Sequence, residues 1–369
     1  MTLHDSFSDY AERLRDLIRA DSPSLSSEPQ FNALALELFA LQFQHNSAYR
    51  RLCEARDLTP PLIRRWRDIP AAPTVAFKEL DLTCITPAER TAVFHSSGTT
   101  QQRPSRHFHH ARSLELYEES LRARFLPHLL PDLPAGGHMD LLLLAPSRSL
   151  APHSSLAHMM ETVRRDFGSS QSHFAGQLDA TGTWEINLDV ALAALDSAVR
   201  QNRPLLILGT AFLFVNFLDA LDMRRRRFVL PAGSRVMETG GYKSRTRTLL
   251  PAQLHALIRD HLGVPLEGIV CEYGMSELSS QAYDRTAFAT ESRGHFQFPS
   301  WTRTRLISPE TGGEGAENEP GLLRIFDLAN VWSVLAVQTE DLILRHGDGF
   351  ELLGRSVLAE SRGCSLMTA

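Results

Sequence analysis

Two short polar segments carry side chains that can bind phosphate groups and a metal ion. The first, FHSSGTTQQRPSRH at residues 94–107, contains a run of hydroxyl side chains around one glycine: Ser96, Ser97, Gly98, Thr99 and Thr100. Backbone amides and hydroxyls in such a loop can surround phosphate oxygens. The loop lacks the GxxxxGK[ST] pattern of a Walker A motif, and an ordinary surface turn is the alternative interpretation.

The second segment is CEYGMSELSSQ at residues 271–281. In it an aromatic residue, a glycine (Gly274), a hydroxyl and a carboxylate follow one another within five positions. Tyr273 can stack on a purine, Ser276 can reach a phosphate, and the carboxylate of Glu277 suits Mg²⁺ as a ligand. The alternative is a strand end followed by a helix whose N-cap is Ser276.

A repeated order of elements positions both segments. Five times, a short apolar run is followed by a polar loop, in most cases with a helix after it, which predicts an α/β fold with a mostly parallel sheet and flanking helices. Ligands of such folds bind beyond the carboxyl ends of the strands, where the polar segments fall. The predicted helices that precede this pattern are 6–20 and 31–46, and the predicted strands are 91–94, 139–144, 204–208, 235–239 and 268–272.

Composition excludes several classes of protein. The chain has 369 residues, a formal net charge of −5 and a pI near 6.3, which argue against nucleic-acid binding. Its four cysteines show no CxxC motif and no Cys/His spacing of the zinc type, and so few thiols are typical of a reducing cytosol. The N-terminus lacks the apolar core of a signal peptide, and the most apolar stretch, 205–218, is too short to span a bilayer. We therefore expect a cytoplasmic protein with no membrane span.

Together the two segments resemble motifs of the adenylate-forming superfamily, which includes acyl-CoA synthetases, luciferases and the adenylation domains of peptide synthetases. Residues 96–100 match its SSGTT phosphate loop, and 273–277 match its YG-x-[ST]-E motif. Three more pieces stand in the expected order, at Gly240–Gly241, Asp341 and Gly354–Arg355. The resemblance implies that the paired glycines lie beside adenine, that Asp341 holds the ribose hydroxyls, and that Arg355 contacts ribose or phosphate.

The resemblance narrows to the LuxE-like acyl-protein synthetases, from about residue 31 to residue 366, through segments such as PTVAFKELDL, TGGYKSR and ESRGCSL. It implies an AMP-forming acid–thiol ligase of the long-chain-fatty-acid–protein ligase type, which uses ATP and Mg²⁺. Such an enzyme activates a carboxylic acid, here expected to be a fatty acid, as acyl-AMP. It then transfers the acyl group to a cysteine thioester for delivery to an acyl-CoA reductase or another acceptor protein.

The resemblance also assigns the end of the chain. It implies an adenylate-forming domain over 1–353, with a β-rich subdomain at about 282–353, and a C-terminal domain reduced to a short tail, 354–369. Cys364 in this tail corresponds to the cysteine that accepts the acyl group; without the resemblance it is an ordinary thiol near a chain end. Lys243 follows the paired glycines closely enough to approach the nucleotide or the acyl carboxylate.

The sequence departs from the superfamily pattern in the phosphate loop. Gln101 replaces the usual glycine, and the lysine that ends the loop is missing, so that Arg103 or Arg106 would have to supply positive charge. Two alternative functions therefore stay open. One is a ligase that passes the acyl group to coenzyme A or to a carrier protein, and the other is a nucleotide-binding pseudoenzyme that scaffolds a reductase complex.

Overall fold

The structure is a computed structural model, and it describes residues 3–96, 103–240, 249–289 and 294–355. The helices are α1 Leu3–Arg19, α2 Glu28–His45, α3 Ser47–Glu54, α4 Ala76–Glu79, α5 Ala111–Leu129, α6 Ser155–Phe167, α7 Leu188–Gln201, α8 Ala211–Met223 and α9 Pro251–Leu262. The first eight strands are β1 Ala72–Pro73, β2 Ala92–His95, β3 Arg106–His109, β4 Asp140–Leu143, β5 His173–Phe174, β6 Gly176–Leu178, β7 Trp184–Ile186 and β8 Leu205–Thr210. The remaining strands are β9 Arg235–Thr239, β10 Ile269–Tyr273, β11 Ala282–Tyr283, β12 Thr302–Ile307, β13 Gly321–Asp327, β14 Ala336–His346 and β15 Gly349–Arg355.

The chain divides into two compact units, of which the second comprises residues 124–274 and 282–294. Its six-stranded sheet has the order β11-β10-β9-β8-β4-β5, and every neighbouring pair is parallel except β10 and β11. All residues of β8, β9 and β10 are buried, as expected for strands covered on both faces. The predicted mostly parallel α/β architecture is confirmed, and four of the five predicted parallel strands lie in this sheet.

Polar residues at the strand ends start the helices of this unit. Thr210 ends β8 and also caps α8, because its hydroxyl accepts a hydrogen bond from the Leu213 N–H. Asn187 caps α7 in the same way, and Ser154 caps α6. The helices therefore begin within a few residues of the loops that follow the strands.

A strand is present near the predicted 91–94, but its predicted place in the parallel sheet is wrong. Strand β2 is not part of the parallel sheet, because it pairs antiparallel with β3 in a two-stranded hairpin, with Ala92 opposite His109 and His95 opposite Arg106. The sequence of β3, RHFH, contains no aliphatic residue, and the strand pattern was therefore missed. Its burial nevertheless alternates, with His107 and His109 buried.

The first unit comprises the described residues up to 123, the segment 275–281 and residues 295–355. In its sheet β14 is the central strand, paired with β13 and β15 in antiparallel fashion and with β1 in parallel fashion, and β12 lies beyond β13. Strands β12 to β15 all lie in the region where the β-rich subdomain is expected, about 282–353. In the same region the stretch 296–298 contributes an isolated bridge, from Phe296 to Phe350.

Two further expectations concern the limits of the chain and its environment. The predicted domain limits, 1–353 and 354–369, stay a prediction, because residues 356–369 lie outside the described part of the structure. Among the described helices, none is both long and apolar enough to cross a membrane.

Candidate active site

The hairpin of β2 and β3 in the first unit presents the predicted phosphate loop. Ser96 follows β2, and its hydroxyl accepts a hydrogen bond of 3.0 Å from the backbone N–H of Ser105. In return, the Ser96 N–H donates to the Ser105 carbonyl at 3.4 Å. These two bonds join the ends of the loop. Ser97, Gly98, Thr99 and Thr100 lie outside the described residues, so their predicted contacts with phosphate stay predictions.

The hairpin contacts the turn that carries Ser276 and Glu277, which belongs to the same unit. The Nδ1–H of His107 donates to the Ser276 carbonyl at 2.8 Å, and the hydroxyls of Ser105 and Ser276 lie 3.5 Å apart. Because a carbonyl only accepts hydrogen bonds, this contact fixes the tautomer of His107. Burial lowers the pKa of His107 to about 4, so the ring is neutral at physiological pH.

Ser276 and Glu277 stand in a turn, so the interpretation of Ser276 as a helix N-cap is wrong. Both side chains are buried, and the Ser276 hydroxyl donates to the Glu277 carboxylate at 3.1 Å. Burial raises the pKa of Glu277, while hydrogen bonds from Ser105 and Ser276 and the positive charge of Arg355 act in the opposite direction. A carboxylate desolvated in this way is stabilised by a bound cation, and its oxygen donors are the type that Mg²⁺ prefers.

A buried carboxylate holds the end of this turn. Asp327, at the end of β13, has no exposed surface, and its oxygens accept hydrogen bonds from the Ser279 N–H at 3.0 Å and the Ser280 hydroxyl at 2.8 Å. A third donor is the Ala329 N–H, at 3.0 Å. Burial raises the pKa of Asp327 to about 6, against the effect of these hydrogen bonds.

Two buried amides hold the middle of the turn. Asn330 donates to the carbonyls of Glu277, at 2.9 Å, and of Val334, at 3.2 Å. Gln42 of α2 donates to the Asn330 carbonyl at 2.8 Å and accepts from the Leu335 N–H at 2.9 Å. The backbone at Glu277 is thus connected through side chains to helix α2.

Asp341 and Arg355 are directly opposite one another on β14 and β15. The Arg355 guanidinium lies 3.5 Å from the Asp341 carboxylate, and its side chain is 80% exposed, whereas that of Asp341 is 15% exposed. Thr339 supports the aspartate: its hydroxyl accepts from the Asp341 N–H at 3.2 Å and donates to the Leu323 carbonyl at 2.7 Å. The exposed Arg355 is therefore free to reorient toward an anion at low cost.

The second unit holds the remaining predicted residues that the structure describes. Gly240 follows β9 and is exposed, while Tyr273 ends β10 as a buried residue and is followed by exposed Gly274. The Thr239 hydroxyl donates to the carboxylate of Glu272, which stands opposite it in register. Burial raises the pKa of Glu272 to about 7.

The structure thus brings together some of the predicted site residues. In the first unit the charge of Arg355 acts on both Asp341 and Glu277, and the hairpin that carries Ser96 contacts the turn at Ser276. Gly241, Lys243 and Cys364 lie outside the described residues, and their roles stay predictions.

Sequence reasoning missed several residues that position this group. Asp327, Asn330 and Gln42 stand outside every motif, and no local signal marks them. His107 ends the segment 94–107 that the sequence indicates as a loop, and its place two residues before His109 in an alternating strand is the signal that could have found it.

Arg103 and Arg106 were the expected sources of positive charge for the phosphate loop. Both form ion pairs in the first unit, Arg103 with Glu79 at 3.8 Å and Arg106 with Asp81 at 3.0 Å.

Comparisons with known proteins identify the family and the fold. A family model described as acyl-protein synthetase, LuxE, matches residues 11–369. No curated protein sequence matches the chain. Among solved structures, 2-hydroxyisobutyryl-CoA ligase in the postadenylation state with 2-HIB-AMP is 12% identical, with a TM-score of 0.64 over 89% of this chain and 67% of that chain.

Two further structures show the same fold. The same ligase in complex with 2-HIB-AMP and CoA in the thioesterification state is 13% identical, with a TM-score of 0.64 over 89% of this chain and 69% of that chain. A long-chain-fatty-acid-CoA ligase, FadD1 from Archaeoglobus fulgidus, is 13% identical, with a TM-score of 0.51 over 75% of this chain and 54% of that chain. The fold is therefore that of the adenylate-forming ligases.

Replacing Asp327 with asparagine should destabilise the first unit. The amide NH₂ of the new side chain would face an N–H or hydroxyl group that now donates a hydrogen bond to the carboxylate. A buried donor would then be unpaired, which costs ~1–3 kcal/mol. The free energy of unfolding at pH 7.5, from denaturant titration, is the measurement. Asp68→Asn is the control, because Asp68 pairs with Arg65 at the surface and should contribute less than about 1 kcal/mol. Equal free energies of unfolding of the two variants would contradict the conclusion that Asp327 holds the turn in place.

Proposed function

The chain belongs to the acyl-protein synthetase (LuxE) family, and from this we propose that it activates a carboxylic acid with ATP and then accepts the acyl group on its own Cys364. The observation that carries the proposal is the contact between the predicted phosphate-loop hairpin and the buried turn of Glu277, made by His107 and Ser276. This contact brings hydroxyl donors and a desolvated carboxylate together, as phosphoryl chemistry requires.

In the first proposed step, a carboxylate oxygen of the acid attacks the α-phosphorus of ATP. The bond from this phosphorus to the bridging oxygen of pyrophosphate breaks, and acyl-AMP and pyrophosphate are formed. Ser96 and the loop through Thr100 donate hydrogen bonds to the phosphates, and the exposed guanidinium of Arg355 offsets their negative charge. Lys243 is proposed to contact the acyl carboxylate or the nucleotide, and it orients the attacking group.

Glu277 is the residue proposed to hold Mg²⁺. Burial raises the pKa of this carboxylate, and the opposite effects of Arg355 and the two serine hydroxyls offset the rise only in part. A bound cation would stabilise the ionised carboxylate further. Bound Mg²⁺ supplies charge neutralisation at the phosphate oxygens. Ser276, which donates to the same carboxylate, keeps that side chain in place.

The nucleoside is proposed to bind through the other motif residues. Asp341 can accept hydrogen bonds from both ribose hydroxyls, because its carboxylate is partly exposed, while its backbone N–H is held by the Thr339 hydroxyl. Tyr273, at the end of β10, and the following Gly274 are proposed to contact the purine. Gly240 and Gly241 are proposed to let the backbone approach adenine without interference from a side chain, and no atom of the described residues lies within 4 Å of a Cβ built on Gly240.

In the second proposed step, the Cys364 thiolate attacks the carbonyl carbon of acyl-AMP and AMP leaves, which forms a thioester. The three described cysteines are poor candidates for this role, because desolvation raises the pKa of each thiol: Cys53 to about 12, and Cys84 and Cys271 well above the ordinary value. A thiolate at neutral pH is therefore disfavoured at all three positions. Family membership and this chemistry both support Cys364.

The proposed substrate is a fatty acid, and the proposed recipient of the acyl group is an acyl-CoA reductase or another acceptor protein in the cytoplasm. Family membership supports a protein acceptor, and one structural neighbour is named as a long-chain-fatty-acid-CoA ligase. A second candidate function is transfer to coenzyme A, since another neighbour was solved in complex with an acyl-AMP and CoA. The fate of the acyl group distinguishes the two.

Glu277→Gln should reduce ATP–pyrophosphate exchange supported by the acid by roughly 10²–10³-fold. The substitution removes the negative charge that holds the cation, and without the cation the charge of the phosphates is not neutralised. The side chain keeps its shape, so thermal unfolding should change little. Glu314→Gln is the control: Glu314 is 54% exposed and pairs with Arg305, and its exchange rate should equal that of the unchanged protein. Normal exchange in Glu277→Gln would remove the metal assignment.

Cys364→Ser should leave pyrophosphate exchange unchanged and abolish the acyl adduct. A serine hydroxyl is far less ionised than a thiol of pKa ~8.5, so acyl-AMP would accumulate and no thioester would form. Intact-mass spectrometry after incubation with ATP and a fatty acid measures the adduct, and hydroxylamine treatment identifies it as a thioester.

The matched control for this experiment is Cys84→Ala, which should keep a full adduct. A hydroxylamine-labile adduct that persists in Cys364→Ser would contradict the assignment of the acceptor. Free acyl-CoA formed at full rate with no adduct on the unchanged protein would favour the coenzyme A ligase instead.

A further inference from the structure

Three side chains with metal-binding atoms meet in the second unit, apart from the residues assigned above. Cys271 on β10 stands directly opposite Glu238 on the neighbouring strand β9. His255 approaches the same point from α9. All three are largely covered, with Glu238 at 7% and Cys271 at 8% exposure, and the side chain of His255 at 14%. Two adjacent strands and a helix therefore fix the positions of the three groups.

The distances among the three groups match those between ligands of one tetrahedral ion. The Cys271 sulfur lies 3.3 Å from Glu238 Oε1 and 3.6 Å from His255 Nε2, and the nitrogen and the carboxylate oxygen are 3.7 Å apart. Bonds of about 2.3 Å to sulfur and about 2.0–2.1 Å to nitrogen and oxygen, at tetrahedral angles, require ligand separations of about 3.3–3.6 Å. The observed separations of 3.3, 3.6 and 3.7 Å are close to these values, so only small movements are needed.

Hydrogen bonding alone leaves the group incompletely satisfied. The thiol has a single proton, which it donates to Glu238 Oε1, and the other carboxylate oxygen of Glu238 is buried with no hydrogen-bond partner among the residues that the structure describes. His255 Nε2 forms a hydrogen bond with the Cys271 sulfur but is too far from the carboxylate for one. A buried carboxylate with an unpaired oxygen is unfavourable, and a cation bound to the same carboxylate would offset that cost.

We propose that Glu238, His255 and Cys271 bind one Zn²⁺ ion. Thiolate, imidazole and carboxylate together are typical zinc ligands, and the two negative charges neutralise the ion. Asp284 does not complete the set, because its oxygens accept from the Cys271 N–H at 2.8 Å and from Arg285 at 3.0 Å. A water molecule takes the fourth position. On binding, the thiol proton is released to solvent.

The position of the ion gives it a structural role. Glu238 immediately precedes Thr239 and Gly240, and Cys271 immediately precedes Glu272 and Tyr273. An ion that joins these two strands and α9 holds both strand ends in a fixed relation. The site is independent of the proposed acyl transfer and does not require that function to be correct.

The zinc content of the purified protein tests the proposal. After loading with Zn²⁺ and removal of loosely bound metal by gel filtration, mass spectrometry of the metal should give about one ion per chain. Cys271→Ala and His255→Gln should each lower the affinity roughly tenfold or more. Cys84→Ala and Cys364→Ser keep all three ligands and should retain full zinc. No bound zinc in the unchanged protein, or full zinc in both ligand variants, overturns the proposal, as does loss of zinc only in Cys364→Ser.

Cobalt provides a readout that does not depend on a variant that folds. Co²⁺ bound to the unchanged protein should show the visible absorption of a tetrahedral ion and a thiolate-to-metal charge-transfer band, because Cys271 is a direct ligand. An octahedral spectrum without the charge-transfer band overturns the proposal. Far-UV circular dichroism of His255→Gln, whose side chain is partly exposed, verifies that its loss of zinc does not come from unfolding.

Discussion

The proposed chemistry depends on one buried carboxylate, that of Asp327. An ionised group without contact to water is tolerated only when donors surround it, and here the Ser279 N–H, the Ser280 hydroxyl and the Ala329 N–H do so. Two of these donors belong to the turn that begins with Ser276 and Glu277. The requirement to satisfy Asp327 therefore fixes the backbone of this turn at the end of β13, and it does so in the interior, where competing water is absent.

The same turn carries an unfavourable charge of its own, on which the proposed mechanism depends. Asn330 holds the Glu277 carbonyl and His107 holds that of Ser276, so the turn cannot move the Glu277 carboxylate into solvent cheaply. Burial accordingly raises the pKa of Glu277, with partial compensation from Arg355. A site that keeps a carboxylate desolvated while its surroundings are rigid gains stability when a cation and phosphates bind, which is the usual relation between perturbed pKa values and function.

The sequence was sufficient where structure depends on local patterns. Strand β8 is a continuous apolar run that ends at Thr210, and this residue also starts α8 as its N-cap, so both elements could be predicted.

The sequence was insufficient where contacts join distant segments. Gln42 and Asn330 are bonded across most of the chain, and nothing near either residue indicates the other. Strand β3 was missed because histidine and arginine give no apolar alternation, although pairing with β2 buries every second residue. The cluster of Glu238, His255 and Cys271 has no zinc-type spacing, because the register of two strands, and not a loop, brings its members together.

The central claim, activation of a carboxylate as its adenylate, is tested most directly by the path of oxygen. The full chain is incubated with ATP, Mg²⁺ and a fatty acid whose carboxylate carries ¹⁸O, with hydroxylamine present to release the acyl group. If the carboxylate attacks the α-phosphorus, one labelled oxygen remains on that phosphorus when the acyl group leaves, and mass spectrometry of the products will find AMP that contains one ¹⁸O atom. Label in inorganic phosphate together with ADP, or unlabelled AMP, would contradict the account.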